Sequence, residues 1–204
     1  MFALVESGSI TSYPHGNKGI RIGDYNYPPA VFTLWSESER NAIGIYTVEI
    51  DETNRKNEEW YINTDISFAF GSGKVTGSYG TATAKKHADT KWTQKEIDDG
   101  DAPSGADTDT VKDEGLKTQL IRVVKRQAEG ILNETDWYIT RKAEKSTAIP
   151  SAITTHRDAV RTKQASMETA ITNASDTPAL ETLYTYTKQE DGSVTRPLGV
   201  LPTL

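Results

Sequence analysis

The pattern of apolar residues changes along this chain, and that change constrains the fold more than any other feature. In residues 1–84, Val, Ile, Tyr, Phe and Thr occur in short runs separated by Gly, Asn and Pro, which is typical of β-strands. After Gly115, large apolar residues recur at spacings of three and four, which is the periodicity of amphipathic helices. The sequence therefore predicts an α+β protein in which a small β-rich N-terminal module is joined by an acidic linker to a C-terminal helical bundle or hairpin.

This pattern divides the chain into four segments. Residues 1–84 are the β-rich module and residues 115–190 are the helical module. Between them, residues 85–114 are rich in Lys, Asp, Thr and Gly and hold few large apolar side chains, so we expect an acidic linker. Residues 191–204 carry Pro197 and Pro202 among Leu and Val, which predicts an extended apolar tail.

Seven strands are expected in the first segment. The strongest signal is a hairpin of Ile66–Phe70 and Lys74–Tyr79, joined by a turn at Gly71-Ser72-Gly73. Its alternation places Ile66, Phe68 and Phe70 on one face. The other candidate strands are Phe2–Val5, Ile10–Tyr13, Gly19–Ile22, Tyr46–Ile50 and Trp60–Asn63.

One short helix is expected within the β-rich module. Ser36 and Glu39 have the spacing of a capping box, and Gly44 follows as a helix stop. The apolar segment 30–35 leads into this helix, so we expect it to be buried.

Four helices are expected after Gly115. The first carries the apolar stripe and ends near Asn133. Thr135 and Asp136 are candidate caps for a short second helix, which carries Trp137 and Tyr138. The apolar stripe of the first helix comprises Leu116, Leu120, Val123, Val124, Ile131 and Leu132.

The third helix is long and opens at Pro150, where a missing N–H has no consequence. Ile153, Val160, Met167 and Ala174 recur along it every seven residues. This spacing predicts a seam that packs on the first helix or on another chain. The fourth helix begins at Thr177-Pro178, with Leu180, Leu183 and Tyr184 facing inward.

Composition excludes several classes of function. The 204 residues include no cysteine, which excludes disulfides, thiolate nucleophiles and Cys-based metal sites, and only three histidines. The net charge of -6 repels a phosphate backbone, so we expect no nucleic-acid binding. No apolar run approaches the roughly 20 residues that span a bilayer, and no secretory signal follows Met1, so synthesis in the cytoplasm and no membrane partner are expected.

Three motifs resemble catalytic or metal sites without matching them. Gly71-Ser72-Gly73-Lys74 lacks the first glycine and the final hydroxyl of a phosphate-binding loop, so a hairpin turn is favoured. Asp107-Thr108-Asp109 begins like a calcium loop but lacks its later ligands, which favours a solvated acidic segment. Glu49 and Asp51 share a strand face and have the chemistry for acid-base work on a sugar, but a polar outer face is the favoured interpretation. We therefore expect no enzyme, no metal and no cofactor.

One stretch of the helical module resembles a known family. The segments Ile131–Glu144, Ala148–Pro150 and His156–Arg161 are similar to the C-terminal region of bacteriophage tail-fibre assembly and tail-assembly-chaperone proteins. The most specific parts are Asp136-Trp137 and Arg157–Arg161, while His156 stands where an aromatic residue is more usual. The similarity covers about residues 115 to 175, and a weaker similarity extends to the N-terminal module.

The resemblance implies a non-catalytic phage protein with partners among other tail, fibre or baseplate proteins. Two roles stay open: a structural subunit of the virion, made in the host cytoplasm, and an assembly chaperone that is released. We favour the virion subunit, in which neighbours hold the linker and the tail. Self-association through the helix of residues 150–175 is also considered. Partner contacts are expected at Trp137, Tyr138, Arg157, Arg161, Leu198, Val200, Leu201 and Leu204, although Trp137 is also a candidate core anchor.

Overall fold

The computed structural model describes all residues from 1 to 204 and confirms the α+β class. The chain forms two compact units, Met1–Thr83 and Ala84–Leu204. The first unit contains most of the strands, and the second contains the four long helices. The strand β9 (Thr83–Ala84) spans the division between the units.

The first unit is built on a mixed five-stranded sheet in the order β2-β1-β5-β8-β7. Only the pair β5 and β8 is parallel; the other neighbours run antiparallel. The five strands are β1 (Phe2–Glu6), β2 (Ser9–Ser12), β5 (Ile45–Asp51), β7 (Ile66–Gly71) and β8 (Lys74–Tyr79). A separate hairpin pairs β3 (Ile20–Ile22) with β4 (Tyr25–Tyr27), and the short β6 covers Tyr61–Ile62.

Two tight turns set the register of this sheet. Ser7-Gly8 joins β1 to β2, and Ser72-Gly73 joins β7 to β8. All four residues have positive φ, the conformation that two-residue hairpins need to match the twist of their strands. The hairpin expected at residues 66–79 is therefore confirmed, with Gly71 as the last strand residue rather than part of the turn.

The strand β1, between β2 and β5, is buried on both of its faces. Leu4 packs with Val31, Phe32 and Ile45 on one side, and Ala3 and Val5 pack with Val75 on the other. The sheet also curls. The rings of Tyr13, just after β2, and Phe68, in β7, have their centroids 5.2 Å apart, so the two outer strands of the sheet approach each other.

At Gly77 the backbone of β8 lies in close contact with side chains of β7. This glycine lies opposite Phe68, and a Cβ atom on Gly77 would stand 2.7 Å from the Phe68 ring and 2.9 Å from Ile66. The aromatic ring therefore fills the space that a side chain at residue 77 would occupy.

The short helix of the first unit confirms the capping box. α1 (Glu37–Ala42) begins after Ser36, whose hydroxyl accepts the Glu39 N–H while the Glu39 carboxylate accepts the Ser36 N–H. The apolar residues before it form a 3₁₀ helix at Pro29–Phe32. Val31 and Phe32 are buried as expected, but Leu34 is 81% exposed, because the chain turns away from the core after this single 3₁₀ turn.

Residues 85–114 differ from the linker that composition predicts. They belong to the second unit and form β10 (Thr90–Lys91), α2 (Gln94–Asp98) and β11 (Val111–Asp113), with β10 and β11 paired. Thr93 and Glu96 make a second capping box, and Lys112 pairs with Glu96 and lies over the Trp92 ring. Polar side chains that bond to nearby groups order this segment where apolar burial is scarce.

The helices of the second unit match their expected positions. They are α3 (Leu116–Asn133), α4 (Asp136–Lys145), α5 (Ser151–Asn173) and α6 (Thr177–Tyr184). The seam Ile153, Val160, Met167 and Ala174 is buried in the fold of the chain, where α5 packs along α3. A second copy therefore has no access to this seam, and self-association through another face of residues 150–175 stays a prediction.

Two details of this unit correct the sequence analysis. Val123 belongs to the expected stripe but is exposed, because Val124 and Ala128 take the inward positions. After α6, strands β12 (Thr187–Lys188) and β13 (Val194–Thr195) pair across the turn at Asp191-Gly192. The expected extended tail thus begins as one strand of a hairpin.

Candidate protein-binding surface

Arg157 holds the corner between α3 and α4. Its guanidinium donates to the Leu132 carbonyl oxygen (2.7 Å) and to the Thr135 hydroxyl oxygen (2.6 Å), and it pairs with an Asp136 carboxylate oxygen (2.8 Å). The Leu132 carbonyl also accepts the N–H and the hydroxyl of Thr135. We call these four residues the Arg157 clamp.

The placement of the clamp follows from the electrostatics of helix ends. Carbonyl groups in the last turn of a helix lack helical partners and carry partial negative charge, and Leu132 lies in the last turn of α3. Asp136 lies at the positive first turn of α4. A planar cation with several donors bonds to the Leu132 carbonyl and the Asp136 carboxylate at once, which a lysine ammonium does less well.

Arg157 is only 7% exposed, so it is not available to a partner. Its ion pair with Asp136 and its hydrogen bonds lie inside the fold, which argues against the expected partner contact at this residue. Thr135 also differs from expectation. It makes no side-chain cap for α4, and its hydroxyl serves the clamp instead.

Trp137 lies on the surface and does not anchor the core. The side chain is 51% exposed, and its ring stacks on Tyr138 with a centroid distance of 3.8 Å. Arg141, one turn further along α4, lies 4.6 Å over the Trp137 ring and 5.1 Å from that of Tyr138. We call Trp137, Tyr138 and Arg141 the α4 stack.

The α4 stack has the composition of a protein-binding site. Trp, Tyr and Arg are the residues most enriched at the energetic centres of interfaces, because they offer large rigid surfaces with polar ends. Arg141 was not singled out from the sequence, although its spacing of four residues from Trp137 is a signal for such a contact.

A groove lies beside the clamp between α3 and α5. It encloses about 560 Å³ and is lined by Leu132, Arg161, Gln164, Ala165, Glu168 and Thr169. Arg161 is half exposed and pairs with Asp158 at 3.4 Å. Unlike Arg157, Arg161 is therefore placed where a partner can reach it.

The tail residues divide between core and surface. Leu198 is 2% exposed, and its N–H donates to the Leu183 carbonyl, so it belongs to the fold rather than to a docking surface. Val200 and Leu204 are exposed, and Leu201 is half-buried. Arg196 lies between the rings of Tyr184 and Tyr186 and fixes the start of the tail.

The acidic candidates in both units are bound to nearby groups. Glu49 pairs with Lys74 at 3.0 Å, and hydrogen bonds from the Thr53 hydroxyl and N–H lower the pKa of Asp51. The Asp107 carboxylate accepts from the Thr110 hydroxyl and from nearby backbone N–H groups, which lowers its pKa. The lowered pKa of Asp51 and of Asp107 favours the ionised form of both carboxyl groups.

Metal ligands and membrane spans are not apparent in this structure. No group of three or more His, Asp or Glu side chains is placed to bind a metal ion. No helix combines the length and the apolar character that crossing a bilayer requires.

Comparisons with protein-family models, curated proteins and solved structures gave no match. The function of the α4 surface must therefore be inferred from its own chemistry.

Proposed function

We propose that this protein is a non-catalytic component of a bacteriophage tail, seated at the tail fibre or the baseplate, where it docks on neighbouring subunits. The proposal begins from the resemblance of residues 131–161 to tail-fibre assembly and chaperone proteins. The observation that carries it is the α4 stack, in which Trp137 is half exposed on a helix that the buried Arg157 clamp holds in place.

The clamp and the stack suit a binding role together. The clamp uses Asp136 and Arg157, which belong to the most specific parts of the resembling segment, to hold the start of α4. A fixed helix presents its exposed rings without an ordering cost at the moment of binding, and such preorganisation favours affinity. The groups presented are rings and cations, which bind a partner rather than move protons.

The alternative is a tail-fibre assembly chaperone that holds fibre or tail subunits and then leaves. The resemblance to assembly proteins favours this role, and so do the exposed Val200 and Leu204 of the tail. Exposed aliphatic side chains on a short segment are suited to weak, reversible contacts.

Quantitative mass spectrometry of purified phage particles and of lysates from infected cells separates the two roles. A constant number of copies per particle supports the virion subunit. Abundant protein in the lysate with none in particles supports the chaperone. Absence of any association with tail or fibre proteins in both samples contradicts the proposal as a whole.

A variant pair tests whether the α4 stack is the docking surface. We expect Trp137→Ala to reduce incorporation into particles or capture of tail proteins at least about tenfold, as for an interface centre. Ile139→Ala is the matched control, because Ile139 is also an exposed apolar residue of α4 but is not in the stack. Equal effects of the two substitutions would contradict this placement.

A further inference from the structure

The cations of α4 form no ion pair within the chain. Arg141 stacks on two rings, and its Nε atom is buried without a hydrogen-bond partner. Lys142 and Lys145 are exposed. Of the two acids on this helix, Asp136 pairs with Arg157. Glu144 is then the single unpaired acid beside the three cations of α4. The surface of α4 therefore presents surplus positive charge beside the exposed Trp137 ring.

The same unit carries a complementary acidic segment. Residues 94–114 hold eight acidic and two basic side chains. Asp98 and Asp101 lie exposed at the end of α2 and form no ion pair, and Pro103 is exposed just after them. Glu96, Asp99, Asp109 and Glu114 pair with cations of this chain, but no ion pair joins the segment to α4. The exposed Asp98 and Asp101 and the cations of α4 are therefore open to other molecules.

We propose that α4 of one copy binds the segment 94–114 of a second copy. The two surfaces are opposite in charge, and Pro103 supplies an apolar group suited to packing on Trp137. Because the two surfaces differ, the contact is head-to-tail, and each added copy leaves one α4 and one acidic segment free. Copies of the chain then build a ring if the rotation closes and a filament if it does not.

Charge is the main test of this contact. Exposed charges are screened beyond a Debye length of about 10 Å at 0.1 M salt and about 3 Å at 1 M, so association is expected to weaken steeply with salt. Sedimentation velocity of the full chain at low and high salt measures this. This experiment uses the isolated protein, so its result does not depend on whether the protein is part of a phage tail.

Reciprocal charge reversal identifies the surfaces. K142E/K145E gives α4 the sign of the acidic segment, and D98K/D101K gives the acidic segment the sign of α4. Each variant alone is expected to associate about tenfold or more weakly than the unchanged chain, because like charges then face each other. An equimolar mixture restores association, since opposite charges face each other at both contacts.

Controls separate this contact from net charge and from misfolding. K56E/K188E and D24K/D65K make the same charge changes at exposed positions elsewhere. Neither variant alone should show the tenfold loss of association that a mixture of the two then reverses. Circular dichroism checks folding, and K142Q/K145Q replaces a reversed variant that fails to fold. The inference is overturned if the unchanged chain stays monomeric at low salt or if each reversed variant alone still associates. It is also overturned if an equimolar mixture of the two folded variants does not associate. A monomer that instead binds an acidic tail protein through Trp137 also overturns it.

Discussion

Replacing Arg157 tests the clamp most directly. Arg157→Met keeps most of the buried aliphatic stem and removes the donors to the Leu132 carbonyl and the Thr135 hydroxyl. A hydrogen bond from a charged group contributes about 1.5–3 kcal/mol. The ion pair adds about 0.2–1 kcal/mol, because the Asp136 side chain is half exposed and well solvated. With two such hydrogen bonds and the ion pair lost, we expect the free energy of unfolding to fall by about 3–7 kcal/mol.

The assay is urea denaturation followed by far-UV circular dichroism, which reports mainly on the helical second unit. Arg161→Met is the control, since Arg161 is one turn along α5 but half exposed, and we expect it to cost less than about 0.5 kcal/mol. Asp136→Asn, which removes the ion pair and the favourable negative charge at the first turn of α4, should cost about 0.5–2 kcal/mol. If Arg157→Met is no more destabilising than Arg161→Met, the clamp does not stabilise the α3–α4 corner.

Three further outcomes are expected. Gly77→Ala should destabilise the first unit by about 1–3 kcal/mol in urea denaturation followed by tryptophan fluorescence, to which the buried Trp60 of this unit contributes, because the added Cβ meets Phe68; Gly71→Ala meets nothing and should cost less. The Lys112 ammonium and Thr93 lower the pKa of Glu96 from 4.5 to about 2, so its stabilising contribution is present above about pH 4.5 and is lost as the pH falls through about 2. Comparing pH titrations of stability for the unchanged chain and Glu96→Gln checks this, and parallel curves would argue against it. Trp137→Ala should cost less than about 1.5 kcal/mol of stability, because the ring is half exposed; a larger loss would mean that the ring is a core anchor after all.

Much of the fold could be predicted because the relevant signals are local. The turn at Ser72-Gly73 needs positive φ, and the flanking alternation fixes which faces pair, so the hairpin was readable from residues 66–79. The capping box at Ser36 and the heptad seam of α5 are equally local. Each of these elements has its cause within a few residues of itself.

The elements that sequence reasoning missed depend on partners distant in the chain. Arg157 carries a charge, and a charge on a helix usually faces solvent. Only the fold brings it to Leu132 and Thr135, more than twenty residues away. The segment 85–114 was misjudged for a related reason, because composition counts its acids but does not show that Glu96 has Lys112 as a partner. Leu34 is apolar but exposed, which is common at protein surfaces and has no local signal.

The approach of Tyr13 to Phe68 bears on how the protein behaves when it is abundant. The outer strand of a sheet normally presents unpaired N–H and C=O groups that recruit strands from other molecules, and this is a common route to aggregation. Here the sheet curls until β2 and β7 approach each other, and the two rings cover part of the opening between them. The two edges of the sheet therefore face each other, and the rings cover part of them, which leaves less edge backbone accessible to a strand of another molecule.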